Sequence, residues 1–350
     1  MAQAQSSDPN FPETDFNLLE DSEDADNHTS SSTATRLSLQ FQLDETYLGQ
    51  RIDQVAATIW SDFSREKLKQ WLKEGHLLVN GNSVKPKYKC EGFELLTLEV
   101  ELEAQTRSLP EDIPLDIVYE DDDIIVVNKP VGMVVHPGAG NSSGTLVNAL
   151  LHHYPKSAEL TRAGLVHRID KDTSGLLVVA KNLEAQFSLG KQKEKKTVYR
   201  VYDLIVYGNV IAGGTVDEPI KRHPVDRVKM AVLPGGKDAV THYNVKERFQ
   251  HFTRIQARLE TGRTHQIRVH FSYIGFGLVG DPVYMPRVRV PAGATELLDE
   301  TLRGFRRQAL HAAELGLKHP RTGEEMLFKA PWPADLATLV DVLRTENKAY

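Results

Sequence analysis

The chain has 350 residues, 40% of them hydrophobic, with 42 Lys and Arg against 48 Asp and Glu and a formal net charge of −6. That is two or three domains' worth of chain with enough apolar content for a core, no run approaches the roughly 20 apolar residues of a membrane span, and residues 1–20 lack the basic and apolar regions of a signal peptide. The single cysteine, Cys90, excludes an internal disulfide and a thiolate-based zinc site and fits a reducing compartment, so a soluble cytoplasmic protein is expected.

The acidity is local. Residues 1–35 hold eight acids (Asp8, Glu13, Asp15, Glu20, Asp21, Glu23, Asp24, Asp26) and neither Lys nor Arg. Without them, 42 basic residues face 40 acidic ones, or +2 over 36–350. A near-neutral folded part permits nucleic-acid binding without arguing for it. The segment 1–36 is polar and aperiodic and reads as a disordered acidic tail, with Phe16–Leu19 its one short hydrophobic patch.

Residues 37–103 read as a compact unit. Ser64 is placed as an N-cap, followed by a helix from Arg65 to Glu74 with Leu68, Trp71 and Leu72 on one face. Gly75 ends it, Leu77-Leu78-Val79 is a short strand, and Asn80-Gly81 is a hairpin turn signal. Arg65, Lys69 and Lys73 fall on one side of the helix as a basic stripe. A solvated helix face is the ordinary explanation of such a stripe. The run "GQRIDQVAATIWSDFSREKLKQWLKEGHLLVNGNSVKP", however, resembles an S4 RNA-binding domain from its Arg-x-Asp start to its strand-turn. The resemblance implies a small helical hairpin with a few strands that present Arg51, Arg65, Lys69 and Lys73 to an RNA backbone.

Residues 104–115, with two prolines, read as a linker, and 116–346 as a second domain. Asp123–Val127 and Leu176–Ala180 are expected as buried strands, Leu183–Lys193 as a helix, and Tyr199–Val206, Ala239–Val245 and Thr253–Leu259 as further strands. Leu310–Leu317 and Glu325–Phe328 pair across the turn His319–Gly323, and Pro333 opens a helix through Ala334–Arg344. Strands outnumber helices, and short turns join several. The expected class is therefore α+β, with a mixed, mostly antiparallel sheet and flanking helices, not a doubly wound parallel fold. "GAGNSSGT" (138–145) lacks the Gly-Lys-Ser/Thr of a P-loop and the spacing of a dinucleotide fingerprint, and reads as a flexible loop.

The densest polar cluster is "GLVHRIDKDTSGLLVVAK", 164–181, where charged residues feed straight into a hydrophobic strand. By loop statistics a polar turn is the commoner explanation. The match is longer than a turn: "HRIDKDTSG" resembles the signature of the RluA family of pseudouridine synthases, with Ile169 where the family usually has Leu. "VVNKPVGMVVHPG", "RLETGRTHQIRVH", "LVGDPVY" and "QALHAAELGLKHP" follow in family order, and an S4 domain in front is the family's common arrangement.

The resemblance places the catalytic carboxylate at Asp170, with Asp172 at a variable position of the motif. A carboxylate suits the reaction, in which the N–C glycosidic bond of uridine breaks and a C–C bond forms at the same sugar carbon. An ionised Asp can serve as nucleophile or as base, and no cofactor or metal is required. The target base must be flipped out of its stack at a cost of about a few kcal/mol. Tyr202, six residues before Gly208, falls at the family's active-site tyrosine, with Tyr199 as its rival. Arg168 corresponds to the arginine that can fill the vacated stack. Arg263 is expected as the salt-bridge partner of Asp170 and Thr264 as the N-cap of the next helix. Ile267 and Arg268 follow to pack beneath the base, an ordinary helix-surface charge being the alternative for Arg268. His167, His265 and His270 read as structural or RNA contacts, not metal ligands. Lys129, Arg222, His223, Arg227 and Lys229 are candidate RNA contacts.

The resemblance thus implies a uridine-to-pseudouridine isomerase acting on large-subunit (23S) ribosomal RNA or a large-subunit precursor, in the stem-loop of the intersubunit bridge. Another rRNA or tRNA site, and a non-catalytic RNA-binding assembly factor, are the alternatives. A monomer is the default expectation.

Overall fold

The computed structural model describes residues 35–348 except 61, 62, 64, 103–107 and 139. The patch at Phe16–Leu19 and the cap expected at Ser64 lie outside the described residues. The described chain forms two compact units that divide ahead of Ser108.

The first unit runs β1 (Thr35–Gln42), α1 (Ile52–Ile59), α2 (Arg65–Glu74), β2 (Leu77–Val79) and β3 (Leu95–Leu102), with an antiparallel sheet in the order β1-β3-β2. Leu68, Trp71 and Leu72 recur at helical spacing on α2 and are buried with Ile52, Val55 and Ala56 of α1 and Leu96 and Leu98 of β3. Gly75 adopts φ +79° and stops α2. Asn80 and Gly81 both take positive φ, the requirement of a two-residue type I′ turn.

The second unit begins with β4 (Ile117–Glu120), β5 (Ile124–Lys129), α3 (Leu146–His153), β6 (Ser174–Ala180), α4 (Leu183–Glu194), β7 (Tyr199–Tyr207), β8 (Gly214–Asp217) and a separate hairpin of β9 (Ile220–Arg222) and β10 (Met230–Val232). It continues with β11 (Val240–Arg248), β12 (Phe252–Leu259), α5 (Gln266–Tyr273), α6 (Glu296–Gly304), β13 (Leu310–Lys318), β14 (Glu325–Lys329) and α7 (Ala334–Lys348). The large sheet is ordered β4-β5-β6-β13-β7-β12-β11-β8, with β14 on β13. Among the described strands only β6 and β13 pair in parallel; the class is α+β with a mixed, mostly antiparallel sheet. One face packs on α3 and α5 through Leu177, Val179, Tyr202, Leu204, Ile255 and Phe271. The other packs on α4, α6 and α7.

The stretch expected as a linker is not one throughout. Leu109 O accepts from Asn148 Nδ2 at 2.8 Å, the Glu111 carboxylate accepts from Gly144 N, and Leu115 packs on the core. Residues 108–115 therefore strap onto the second unit. The same contacts, with Thr145 capping α3, hold the end of the loop expected to be flexible.

Where β6 meets β13, His311 and Ala312 lie opposite Ser174 and Gly175. Gly175 has φ +116°, and a Cβ there would stand 2.3 Å from Ala312 O. Only glycine fits this crossing, and it is the residue that turns the polar loop 167–173 into the buried strand.

Candidate active site

The polar loop ahead of β6 is fastened from several directions. Thr173 N donates to Asp170 O at 3.0 Å, closing a turn, and Gln308 Nε2 donates to Thr173 Oγ1 at 3.0 Å. Ser174 Oγ bonds His311 Nδ1 at 2.9 Å. From below, Lys129 Nζ donates to the carbonyls of Pro130, Met133 and Lys171 at 2.8, 2.8 and 2.9 Å. Lys129 is 1% exposed and burial pulls its pKa down to about 7. It is thus no surface RNA contact: all three N–H donors of the ammonium are used inside the protein, because the loop's carbonyls turn inward there.

Asp170 emerges from this loop with its side chain 18% exposed. Its ion-pair partner is Arg268, whose Nη1 lies 3.0 Å from Oδ2. Arg263, expected in that role, precedes the helix and donates from Nε to Asp238 O at 3.1 Å. The reason is where α5 starts. His265, not Thr264, occupies the N-cap, in a left-handed conformation (φ 56°) with no side-chain cap bond. Gln266 to Phe271 are all buried, so Arg268 points inward from the first turn. Its other nitrogens are taken by Asp281, 0% exposed, with Nε–Oδ2 2.7 Å and Nη2–Oδ1 3.0 Å. Tyr284 lies 5.2 Å from the guanidinium, ring centroid to Cζ, and its hydroxyl contacts His265 Nδ1 at 3.0 Å.

Burial pushes the Asp170 carboxyl up, but the charges of His265 and Arg268, the Arg268 hydrogen bond and the charge of Arg168 outweigh it and hold the group below the usual carboxylate range. Burial in turn pulls His265 below the usual imidazole range. Arg268 is the permanent countercharge in direct hydrogen-bond contact with the carboxylate.

Tyr202 is 7% exposed, on the sheet face it shares with Ile169 and Ile267, the residues preceding Asp170 and Arg268. Burial pushes its phenol up to about 12. Tyr199, the rival, is 41% exposed. Arg168 is exposed beside the carboxylate, and its charge reaches Asp170. The sequence-derived set Asp170, Arg168, Tyr202 and Ile267 therefore converges, whereas Arg263 and Lys129 do not join it as expected. Asp281 and Tyr284 were given no part in the site by the sequence, and His265 only that of a structural or RNA contact. Asp281 follows only from the burial of Arg268, since a buried charge requires a buried partner, and the mixed sequence QIRVHFSY does not announce that burial.

Arg222, His223 and Arg227 lie on the β9–β10 hairpin, where Arg222 Nη1 donates to Arg227 O, and His223 Nδ1 accepts from Val225 N and Asp226 N at its tip. In the first unit, Asp53 is fully buried and accepts from Arg51 (3.0 Å to each oxygen) and Arg65 (2.8 Å). Both arginines keep over a third of their side chains exposed, at 37% and 41%. Lys69 pairs with Glu66 and Lys73 is exposed, so the stripe on α2 is part ion-paired and part open.

The described residues hold one His/Asp cluster of metal-ligand size, Asp121, Asp123 and His319. Its oxygens are already engaged by Arg321, Asn182, Tyr119 and backbone amides, the pattern of an ion-paired turn. His167 Nε2 and both ring nitrogens of His270 are likewise engaged in internal bonds, to Val178 N and to Thr241 Oγ1 and Glu218 O.

Residues 123–273, which carry every member of this site except Asp281 and Tyr284, match the family described as RNA pseudouridylate synthase, and residues 50–95 match the S4 domain. The chain is 54% identical over 318 residues to "Ribosomal large subunit pseudouridine synthase D" of Vibrio parahaemolyticus, spanning 91% of this chain and 98% of that one. It belongs to the RNA pseudouridylate synthase family. The protein of the same name from Escherichia coli K12 is 52% identical over the same shares of both chains. Among solved structures, "Human RNA Pseudouridylate Synthase Domain Containing 4" superposes with a TM-score of 0.51 at 25% identity, covering 65% of this chain and 92% of that one. The chain is accordingly an RNA pseudouridine synthase with an S4 domain.

Proposed function

We propose that this synthase isomerises specific uridines of large-subunit ribosomal RNA, with Asp170 as the catalytic carboxylate. The substrate class is drawn from relatives over 50% identical across nearly their whole length. The observation that carries the role of Asp170 is its pairing with Arg268. This is a partly exposed carboxylate kept ionised at the edge of an apolar cluster, by a guanidinium that is itself locked by Asp281.

In this reading the target uridine leaves its stack and lies over Tyr202 and Ile267, and Arg168 fills the gap it leaves. The Asp170 carboxylate attacks the sugar or the ring, or removes a proton from the sugar. The N1–C1′ bond breaks, the uracil turns, C5–C1′ forms, the C5 proton is lost to solvent and N1 gains one. Arg268 stabilises the carboxylate between these steps. The S4 unit grips flanking RNA through Arg51, Arg65, Lys69 and Lys73, with Arg222, His223 and Arg227 as further backbone contacts. A stem-loop at the intersubunit bridge is the proposed target, and the cytoplasm, where large subunits assemble, the proposed location.

The test is tritium release from uridine-5-tritiated, unmodified large-subunit RNA, followed by mapping of the modified positions. Wild type should release tritium, and Asp170→Asn should release none while binding RNA within a few-fold of wild type. Equal release from both proteins would remove Asp170 from its role.

A further inference from the structure

Three arginines of the second unit are at least nine-tenths buried. Arg268 is paired with Asp281 and Asp170, and Arg307 is bidentate with Asp335. Arg200, 6% exposed, has no carboxylate partner among the described residues. Its one hydrogen bond runs from Nη2 to the Glu260 carbonyl at 3.2 Å, and its Nε is buried with no acceptor among the described residues. A buried cation without a counter-ion is costly, and native proteins rarely retain one without a use.

Arg200 lies two residues before Tyr202 on β7, so strand alternation sets both side chains on the face that carries the active site. Its Nη1 also lies against Gly262, where an added Cβ would approach to 2.9 Å. Gly262 is exposed and belongs to the loop leading to His265 and Arg268, so the guanidinium lies directly under a solvent-facing loop. A second orphan lies in the same neighbourhood. His167 Nε2 accepts from Val178 N, which leaves the proton of the neutral ring on Nδ1, where no described group accepts it. Arg200 exerts the largest charge effect on that ring, which marks the two as neighbours. A buried group of donors without an acceptor suits an oxygen-rich anion.

We propose that Arg200 binds a backbone phosphate of the flipped uridine, anchoring the nucleotide while Asp170 reacts with it. This rests on the reading of the chain as an enzyme that flips a uridine out of ribosomal RNA. It assigns Arg200 to substrate binding, where a purely structural role would make it only a brace for the 260–264 loop.

The experiment uses a synthetic stem-loop carrying the mapped uridine, with the phosphate on its 5′ or 3′ side replaced by a neutral methylphosphonate. Wild type should show a KM raised about tenfold by one of the two replacements. Arg200→Gln should raise KM on the unmodified RNA by a similar factor, and that methylphosphonate should then cost the variant nothing further. Arg200→Lys, which keeps the charge, should recover part of the affinity and the sensitivity. If neither replacement affects the wild type, or if the two losses multiply independently, Arg200 does not bind the phosphate. If Arg200→Gln lowers only kcat and Tm, it is the brace. Should Arg200→Gln fail to fold, the wild-type replacements and Arg200→Lys still decide. Absence of any turnover by wild type would instead overturn the functional reading, and this inference with it.

Discussion

Asp281 aims Arg268 at Asp170. By taking Nε at 2.7 Å and Nη2 at 3.0 Å in a fully buried bidentate pair, it fixes the plane of the guanidinium and leaves Nη1 for the Asp170 carboxylate. Asp281 Oδ1 also accepts from Val283 N and Tyr284 N, which anchors its carboxylate to its own turn. Asp281→Asn should therefore cost both stability and rate. Loss of one partner of a buried pair costs about 3 kcal/mol, visible as a lower urea midpoint. A loosened Arg268 should lower kcat by about tenfold or more, since small misplacements near the chemistry are expensive. Unchanged kcat in a folded Asp281→Asn protein would show that Arg268 needs no second partner.

The pH profile follows from the same pair. In wild type the Asp170 carboxyl is held below the usual range against its own burial. Its anion therefore contributes stability above the unfolded pKa of about 3.9, and that contribution is lost only as pH falls through the lower folded value. Activity that requires the anion should stay flat into mildly acid solution. Arg268→Gln removes both a charge and a hydrogen bond that, with the charges of His265 and Arg168, oppose the effect of burial, so the acid limb of kcat/KM should move up by about one pH unit. Tritium release between pH 4 and 9 measures this; an acid limb at the same pH in both proteins would contradict the assignment.

Much of this was legible in the sequence. The strands around Val178 and Leu204 announce themselves as apolar runs, the strand around Ile255 is mixed, and the polar run ending at Gly175 marks the loop. The RNA pseudouridylate synthase family and the S4 domain were both readable from motifs. What failed was direction. Arg263 and Arg268 sit in one motif, and choosing between them needs the helix start, which depends on a left-handed His265, a conformation uncommon for any residue but glycine. Lys129 failed for a related reason: a lysine beside proline looks like a solvated loop charge until the inward carbonyls of residues 130, 133 and 171 are known.

Lys129 gives a prediction that separates its two roles. If it held RNA, its removal would weaken binding and reduce the salt dependence by about one phosphate contact. Its 1% exposure and its three carbonyl acceptors argue instead for a strut between residues 130–133 and the loop of Asp170. Lys129→Met keeps length and burial but leaves three carbonyls without a donor, each worth about 1–3 kcal/mol when buried and unpaired. The expected outcome is a clear loss of stability and a kcat lowered by about tenfold or more as the Asp170 loop loses its support. RNA affinity and its salt slope should stay at wild-type values, because no surface charge has been removed. Filter-binding titrations at several salt concentrations, alongside single-turnover tritium release, measure both quantities. A flattened salt slope with unchanged kcat would return Lys129 to the RNA-contacting surface.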